Sequence, residues 1–164
     1  MHRRRIAWWD TDAARIAYTA RFPQFCMEAI EAWFIERLGT DWYALNESGR
    51  GTPFVHLSVD FRSPLTPRDT LVTTVALARA GASSLEFRLA GRAGDGRLAF
   101  EGRFVCVFVA TRGDAGHKPI PIPDEFRAAV DREAALAAAG SVRESNRPGE
   151  GLVGPRQHSP ALPR

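Results

Sequence analysis

The chain has 164 residues and a mass of 18.1 kDa, the size of one ordinary domain. It is 45% apolar and 25% charged, a globular composition rather than a disordered one. Of its 22 basic residues only Lys118 is a lysine, yet 19 acids hold the net charge to +3, which excludes the clustered positive excess of a dedicated nucleic-acid binder.

No run approaches the roughly 20 apolar residues that span a bilayer. The start, Met1-His2-Arg3-Arg4-Arg5-Ile6, is basic but has no apolar stretch behind it, so it does not read as a secretory signal. Cys26 and Cys106 sit in apolar segments, without a CxxC pair or metal-ligand spacing. They read as buried free thiols of a reducing compartment, and the cytoplasm is the expected location.

Residues 3–9 read as an opening strand that ends in Trp8 and Trp9. A polar-then-apolar connection, 10–19, leads into the clearest helix. There Phe22, Phe25, Cys26, Ala29, Ile30, Trp33, Phe34 and Leu38 recur at three- and four-residue spacing. Pro23 suits its first turn, and Gly39 suits the position past its end. Ala32 and Ile35 are apolar too, so this helix is expected to be buried on more than one side.

After a connecting segment, 41–48, the period changes to two. Val55, Leu57, Val59 and Phe61 alternate with His56, Ser58, Asp60 and Arg62, until Pro64 and Pro67 break the run. Leu71, Thr73, Val75 and Leu77 form one face of the next strand. Leu85, Phe87 and Leu89 follow a Gly81-Ala82-Ser83 turn, and Gly94-Asp95-Gly96 marks a hairpin. The last strand carries Leu98, Phe100, Phe104, Cys106 and Phe108. The order is strand, helix, then four strands in a meander: an α+β layer arrangement with one five-stranded antiparallel sheet around a long helix. Its edges call for an oligomer, a homodimer or homotetramer. Pro119, Pro121 and Pro123 lead to a last helix, capped by Asp124 and ended by Gly140. Residues 141–164 are rich in Gly, Pro, Ser and Arg and read as a disordered tail, leaving 1–140 as the folded domain.

The chemistry concentrates in Asp10-Thr11-Asp12-Ala13-Ala14-Arg15-Ile16-Ala17-Tyr18-Thr19, which runs from a strand into the start of the long helix. A helix N-terminus presents unpaired N–H groups and partial positive charge, suited to charge developing on a carbonyl oxygen. A nearby carboxylate can act as nucleophile or as general base on water. Two aspartates in a turn can also be no more than turn formers.

The pattern Asp10-x-Asp12-x-x-x-Ile16-x-Tyr18 before an aromatic-rich helix resembles the acyl-CoA thioesterases of the 4-hydroxybenzoyl-CoA thioesterase type, which have the hot-dog fold. Gly51-Thr52-Pro53-Phe54-Val55, Phe61-Arg62-Ser63-Pro64-Leu65 and Lys118-Pro119-Ile120-Pro121-Ile122-Pro123 resemble further segments of that family, in the same order. The resemblance covers about residues 5–135. It implies that Asp12 attacks the thioester carbonyl or activates water, with the Thr19 backbone N–H holding the carbonyl oxygen. Asp10 would tie down the turn, and Tyr18 would line the acyl pocket. Ala13-Ala14-Arg15 stands where members often carry Pro-Ala-Gly. A related subfamily uses a glutamate on the helix, for which Glu28 and Glu31 are the available positions.

Coenzyme A carries phosphates. Lys118 matches a family position for a basic contact, and Arg62, Arg79 and Arg88 are further candidates; Arg15 is open to a salt bridge, a substrate contact or plain exposure. Coenzyme A would be part of the substrate, and no cofactor or metal is implied. His56 and Asp60 lie four apart on one strand, ~13 Å at ~3.3 Å per residue, too far to form the His/acid pair that hot-dog dehydratases use. The implied function is hydrolysis of an acyl-CoA or aryl-CoA thioester. The alternative is a non-catalytic hot-dog module that binds an acyl-CoA or a protein partner.

Overall fold

A computed structural model describes residues 1–113 and 117–145. Strand β1 (His2–Arg5) opens the chain, followed by a 3-10 turn, Trp8–Asp10. The opening strand is therefore shorter than the predicted 3–9. The Asp10 side chain accepts a hydrogen bond from the Ala7 N–H at 2.9 Å, and this folds the two tryptophans out of the strand. Helix α1 (Arg21–Leu38) is the predicted long helix. Gly39 ends it with φ 69°, a left-handed conformation that glycine adopts without a Cβ clash.

The connection after α1 folds into a short helix, α2 (Trp42–Glu47). The Asp41 carboxylate caps it, accepting from the Ala44 N–H at 2.7 Å. Strand β2 (Arg50–Gly51) pairs with β7 (Val109–Ala110) in a small separate ladder. The main sheet contains β3 (Phe54–Phe61), β4 (Thr70–Ala80), β5 (Ser84–Ala93) and β6 (Leu98–Val107). With β1 it is five-stranded and antiparallel, in the order β1-β4-β5-β6-β3. The predicted arrangement of one long helix on a five-stranded antiparallel sheet is the one found, but the predicted four-strand meander is not: β3 crosses over to pair with β6, and only β4, β5 and β6 are sequential neighbours.

One face of the sheet wraps α1. Phe25, Cys26, Ile30 and Phe34 from the helix and Leu85, Phe87, Phe100 and Phe104 from the strands are fully buried between them. Each such aromatic or aliphatic side chain contributes about 1.5–3 kcal/mol of burial. Gly91 is required by this packing: a Cβ there would lie 2.1 Å from the Phe100 ring.

In β3 the strict alternation predicted for Val55, Leu57, Val59 and Phe61 is broken by a bulge between Phe54 and His56. Phe54 turns into the core and packs edge-on against Phe104, with ring centroids 5.8 Å apart. Val55 is left 64% exposed. An extra residue on one strand shifts the face on which its neighbours lie.

Helix α3 (Asp124–Ser145) packs Phe126 and Val130 inside. It runs through Gly140 rather than ending there. Arg50 and Glu125 form an ion pair that ties β2 to its first turn. The remaining predicted tail, 146–164, lies outside the described residues.

Candidate active site

Asp10 and Asp12, two residues apart, have opposite surroundings. Asp10 is only 1% exposed. Its Oδ2 accepts from Arg4 Nη2 at 2.6 Å and from the Ala7 N–H. Arg21 approaches Oδ1 at 4.0 Å. A buried carboxylate held by guanidinium groups and a backbone donor is a structural anchor. Asp12 is exposed, and among the described residues its Oδ1 accepts one hydrogen bond, from the Ala14 N–H at 2.9 Å. That leaves carboxylate lone pairs free for a reacting group.

The segment between them and α1 is a tight loop. Thr11 bridges to Ala17, and the Asp12 N–H donates to the Ile16 carbonyl at 3.2 Å. Arg15 sits at the turn with φ 62°. This left-handed conformation favours glycine, so a non-glycine residue here is strained. The Ala17 N–H donates to the Leu65 carbonyl at 2.7 Å, and the Tyr18 N–H to the Asp10 carbonyl at 2.8 Å. The next two N–H groups, of Thr19 and Ala20, donate to no acceptor among the described residues. They stand at the positive end of α1.

Beside this loop lies a cavity of about 370 Å³, lined by Ile16, Ala17, Thr19, Phe22, Phe61, Arg62, Ser63 and Pro64. The volume falls in the range of small-molecule pockets, roughly 300–1,000 Å³. Phe22 and Phe61 meet edge-on at 4.9 Å and form its apolar wall. Arg97 braces the Ser63–Pro64 part of the lining. Its Nη1 donates to Ser63 Oγ at 2.8 Å and to the Pro64 carbonyl at 2.6 Å.

The structure thus groups Asp12, Arg15, Tyr18 and Thr19 on one loop, with Arg62 beside its cavity. Tyr18 is 51% exposed. Arg62 pairs with Glu101 at 2.9 Å, so its charge is partly engaged. Lys118 is not brought to this loop within one chain. Its carbonyl accepts from the Ala110 N–H beyond the end of β6, whereas the Arg62 N–H donates to Ala99 near that strand's start. About ten extended residues separate the two places, roughly 30 Å. Glu28 lies on α1 but is engaged by Arg4 Nη1 at 2.7 and 2.9 Å. His56 and Asp60 pair opposite Val105 and Glu101, on the sheet face turned away from α1.

Sequence reading missed two arginines, Arg4 and Arg97. Arg4 was hidden in an Arg-Arg-Arg run. Only the β1–β4 register, which sets it opposite the buried Leu71, shows that it points inward. Arg97 carried the hairpin signal of its neighbours and no other.

A family model described as the thioesterase-like superfamily matches residues 6–130. The chain belongs to that superfamily. Its fold is the hot-dog fold, and its class is that of the thioester hydrolases. A thioesterase-superfamily protein from Jannaschia sp. CCS1 is 41% identical; the match covers 80% of this chain and 90% of that one, with a TM-score of 0.73. The 1,4-dihydroxy-2-naphthoyl-CoA hydrolase of Synechocystis sp. is 25% identical over 132 residues, 79% of this chain and 92% of that enzyme. The enzyme of the same name from Picosynechococcus sp. is 41% identical over 71 residues. That match spans 48% of its length and 43% of this chain.

Proposed function

We propose that the chain hydrolyses an acyl-CoA or aryl-CoA thioester to the free acid and coenzyme A, with Asp12 as the reacting carboxylate. The observation that carries this reading is the pairing on one short loop of an exposed, lightly bonded carboxylate with two open N–H groups at the start of α1. The relatives named as hydrolases of a CoA thioester support the substrate class.

The thioester carbonyl oxygen accepts from the Thr19 N–H, and the macrodipole of α1 stabilises the negative charge that develops there. Asp12 Oδ then attacks the carbonyl carbon. The C–S bond breaks, coenzyme A leaves as thiolate and takes a proton, and water hydrolyses the mixed anhydride. As general base, Asp12 instead accepts a proton from the attacking water and passes it to the leaving thiolate. Both routes consume one water and need no metal or cofactor. Tyr18, Phe22 and Phe61 face the acyl group, while Arg15 and Arg62 meet phosphate or carboxylate oxygens.

The active form is a homodimer or larger assembly of the chain. Edge strand β3 leaves Val55, Leu57 and Phe61 64%, 47% and 50% exposed. An unpaired edge carrying such residues is matched by a second copy. Antiparallel pairing of β3 with itself, centred on Ser58, sets His56 across from Asp60 of the other copy. It also carries the Lys118 end of one subunit toward the Asp12 end of the other, where its charge meets the coenzyme A phosphates. The cytoplasm suits the free thiols and the substrate; no helix among the described residues is long and apolar enough to cross a membrane.

The test is thiol release from a panel of aromatic and aliphatic CoA esters, with calorimetry on the same panel. Turnover of at least one ester supports hydrolysis. Tight binding without turnover supports a non-catalytic acyl-CoA-binding module instead.

A further inference from the structure

We propose that Arg4 is a positioning residue for this reaction, acting through Asp10 on both the Asp12 carboxylate and the open N–H groups of α1; this rests on the reading of the site given above. Arg4 stands in a run of three arginines, and strand alternation turns only the middle one inward, opposite the buried Leu71. Its side chain is 16% exposed, and its guanidinium carbon lies 4.1 Å from the centroid of the Phe25 ring on α1. The fork is divided between two elements. Nη2 donates to Asp10 in the 3-10 turn at 2.6 Å, and Nη1 donates to both oxygens of Glu28 on α1. The Arg4 Nε is buried without a partner among the described residues, so the side chain holds this geometry while one of its own donors stays unsatisfied there.

The consequence lies one residue beyond the fork. The Asp10 carbonyl accepts from the Tyr18 N–H, which sets the backbone just before the open N–H groups of Thr19 and Ala20. Thr11 and Asp12 follow Asp10 in the chain directly. The carboxylate and the oxyanion donors therefore take their position from one anchor, and Arg4 bolts that anchor to the helix whose N-terminus they share. A lysine reaches one carboxylate at a time and cannot reproduce the planar fork. Misplacement by about 1 Å at a reacting centre costs about 100-fold in rate.

The experiment is steady-state kinetics of Arg4→Met and Arg4→Lys on the best CoA ester, with Asp12→Asn alongside and circular dichroism on every variant. For folded Arg4→Met, kcat is expected to fall about 10- to 100-fold with KM within about threefold, because the loss is of transition-state alignment and not of substrate binding. Arg4→Lys lies between it and the parent. The pair Arg4→Met with Asp10→Asn is no slower than the slower single variant, since the two act as one unit. If Arg4→Met does not fold, Glu28→Gln, which keeps the Arg4–Asp10 bond and loosens its tie to α1, lowers kcat about three- to tenfold. A folded Arg4→Met or Glu28→Gln with the parent's kcat overturns the inference. If Asp12→Asn is itself as active as the parent, the reading of the site fails instead.

Discussion

At the scale of single residues, surroundings separate chemically equal groups. Asp10 and Asp12 differ by two positions, yet one is sealed under Arg4 and the other stands open to solvent. The sequence offered the pair and left the bland reading open, because carboxylates in a turn look alike until their donors are known. Arg15 shows the reverse, a residue whose side chain has no partner among the described residues but whose backbone is constrained at φ 62°. Arg15→Gly should therefore raise stability by about 0.5–1 kcal/mol, the left-handed cost relieved less the added freedom of the unfolded chain. Thermal unfolding checks the gain, and a rise in KM for CoA esters would show that the lost guanidinium touched substrate. The two thiols belong to this scale as well. Burial pushes Cys26 and Cys106 up to about 12 from an ordinary 9.0. A folded pKa above the unfolded one means that stability is fully present below about pH 9 and declines as pH rises toward 12. Denaturant midpoints measured from pH 8 to 11 should fall, and Ellman's reagent at pH 8 should label neither thiol until the chain unfolds.

At the scale of elements, legibility followed locality. Helix α1 was readable to within a residue, because its apolar period, Pro23 and Gly39 are all local signals. The hairpin at Gly94-Asp95-Gly96 was equally clear, and Gly96 takes the positive φ, 88°, that such a turn needs. The bulge in β3 was not legible, since Phe54 and Val55 are both good strand residues and only packing against Phe104 chooses between them. Helix α2 was missed because six residues give too short a period to count. The Arg4–Glu28 contact spans 24 positions and has no local signature at all. The fit of β5 against β6 gives a sharp test. Gly91→Ala drives a methyl into the fully buried Phe100 ring and should cost about 1–3 kcal/mol, measured by denaturant unfolding.

At the scale of the whole molecule, the fold places the Asp12 loop and the segment that carries Lys118 at opposite ends of the β3–β6 pair. A single chain carries Asp12, the open N–H groups and the apolar wall, while Lys118 stands far from them. The proposed self-pairing of β3 would bridge that separation and cover the exposed Leu57 and Phe61. Light scattering should give a mass at least twice that of the chain, and Leu57→Asp should shift the assembly toward monomer with loss of turnover; a monomeric, fully active parent would refute this assembly. The balanced charge also acquires a meaning here: positive groups matter where they are placed, not in their sum. The account stands most directly on Asp12. The deciding measurement is kcat of Asp12→Asn on a CoA ester that the parent hydrolyses. A fall of about 100- to 10,000-fold, in a variant that stays folded and binds the ester, is what a reacting carboxylate predicts. A kcat equal to the parent's would contradict it.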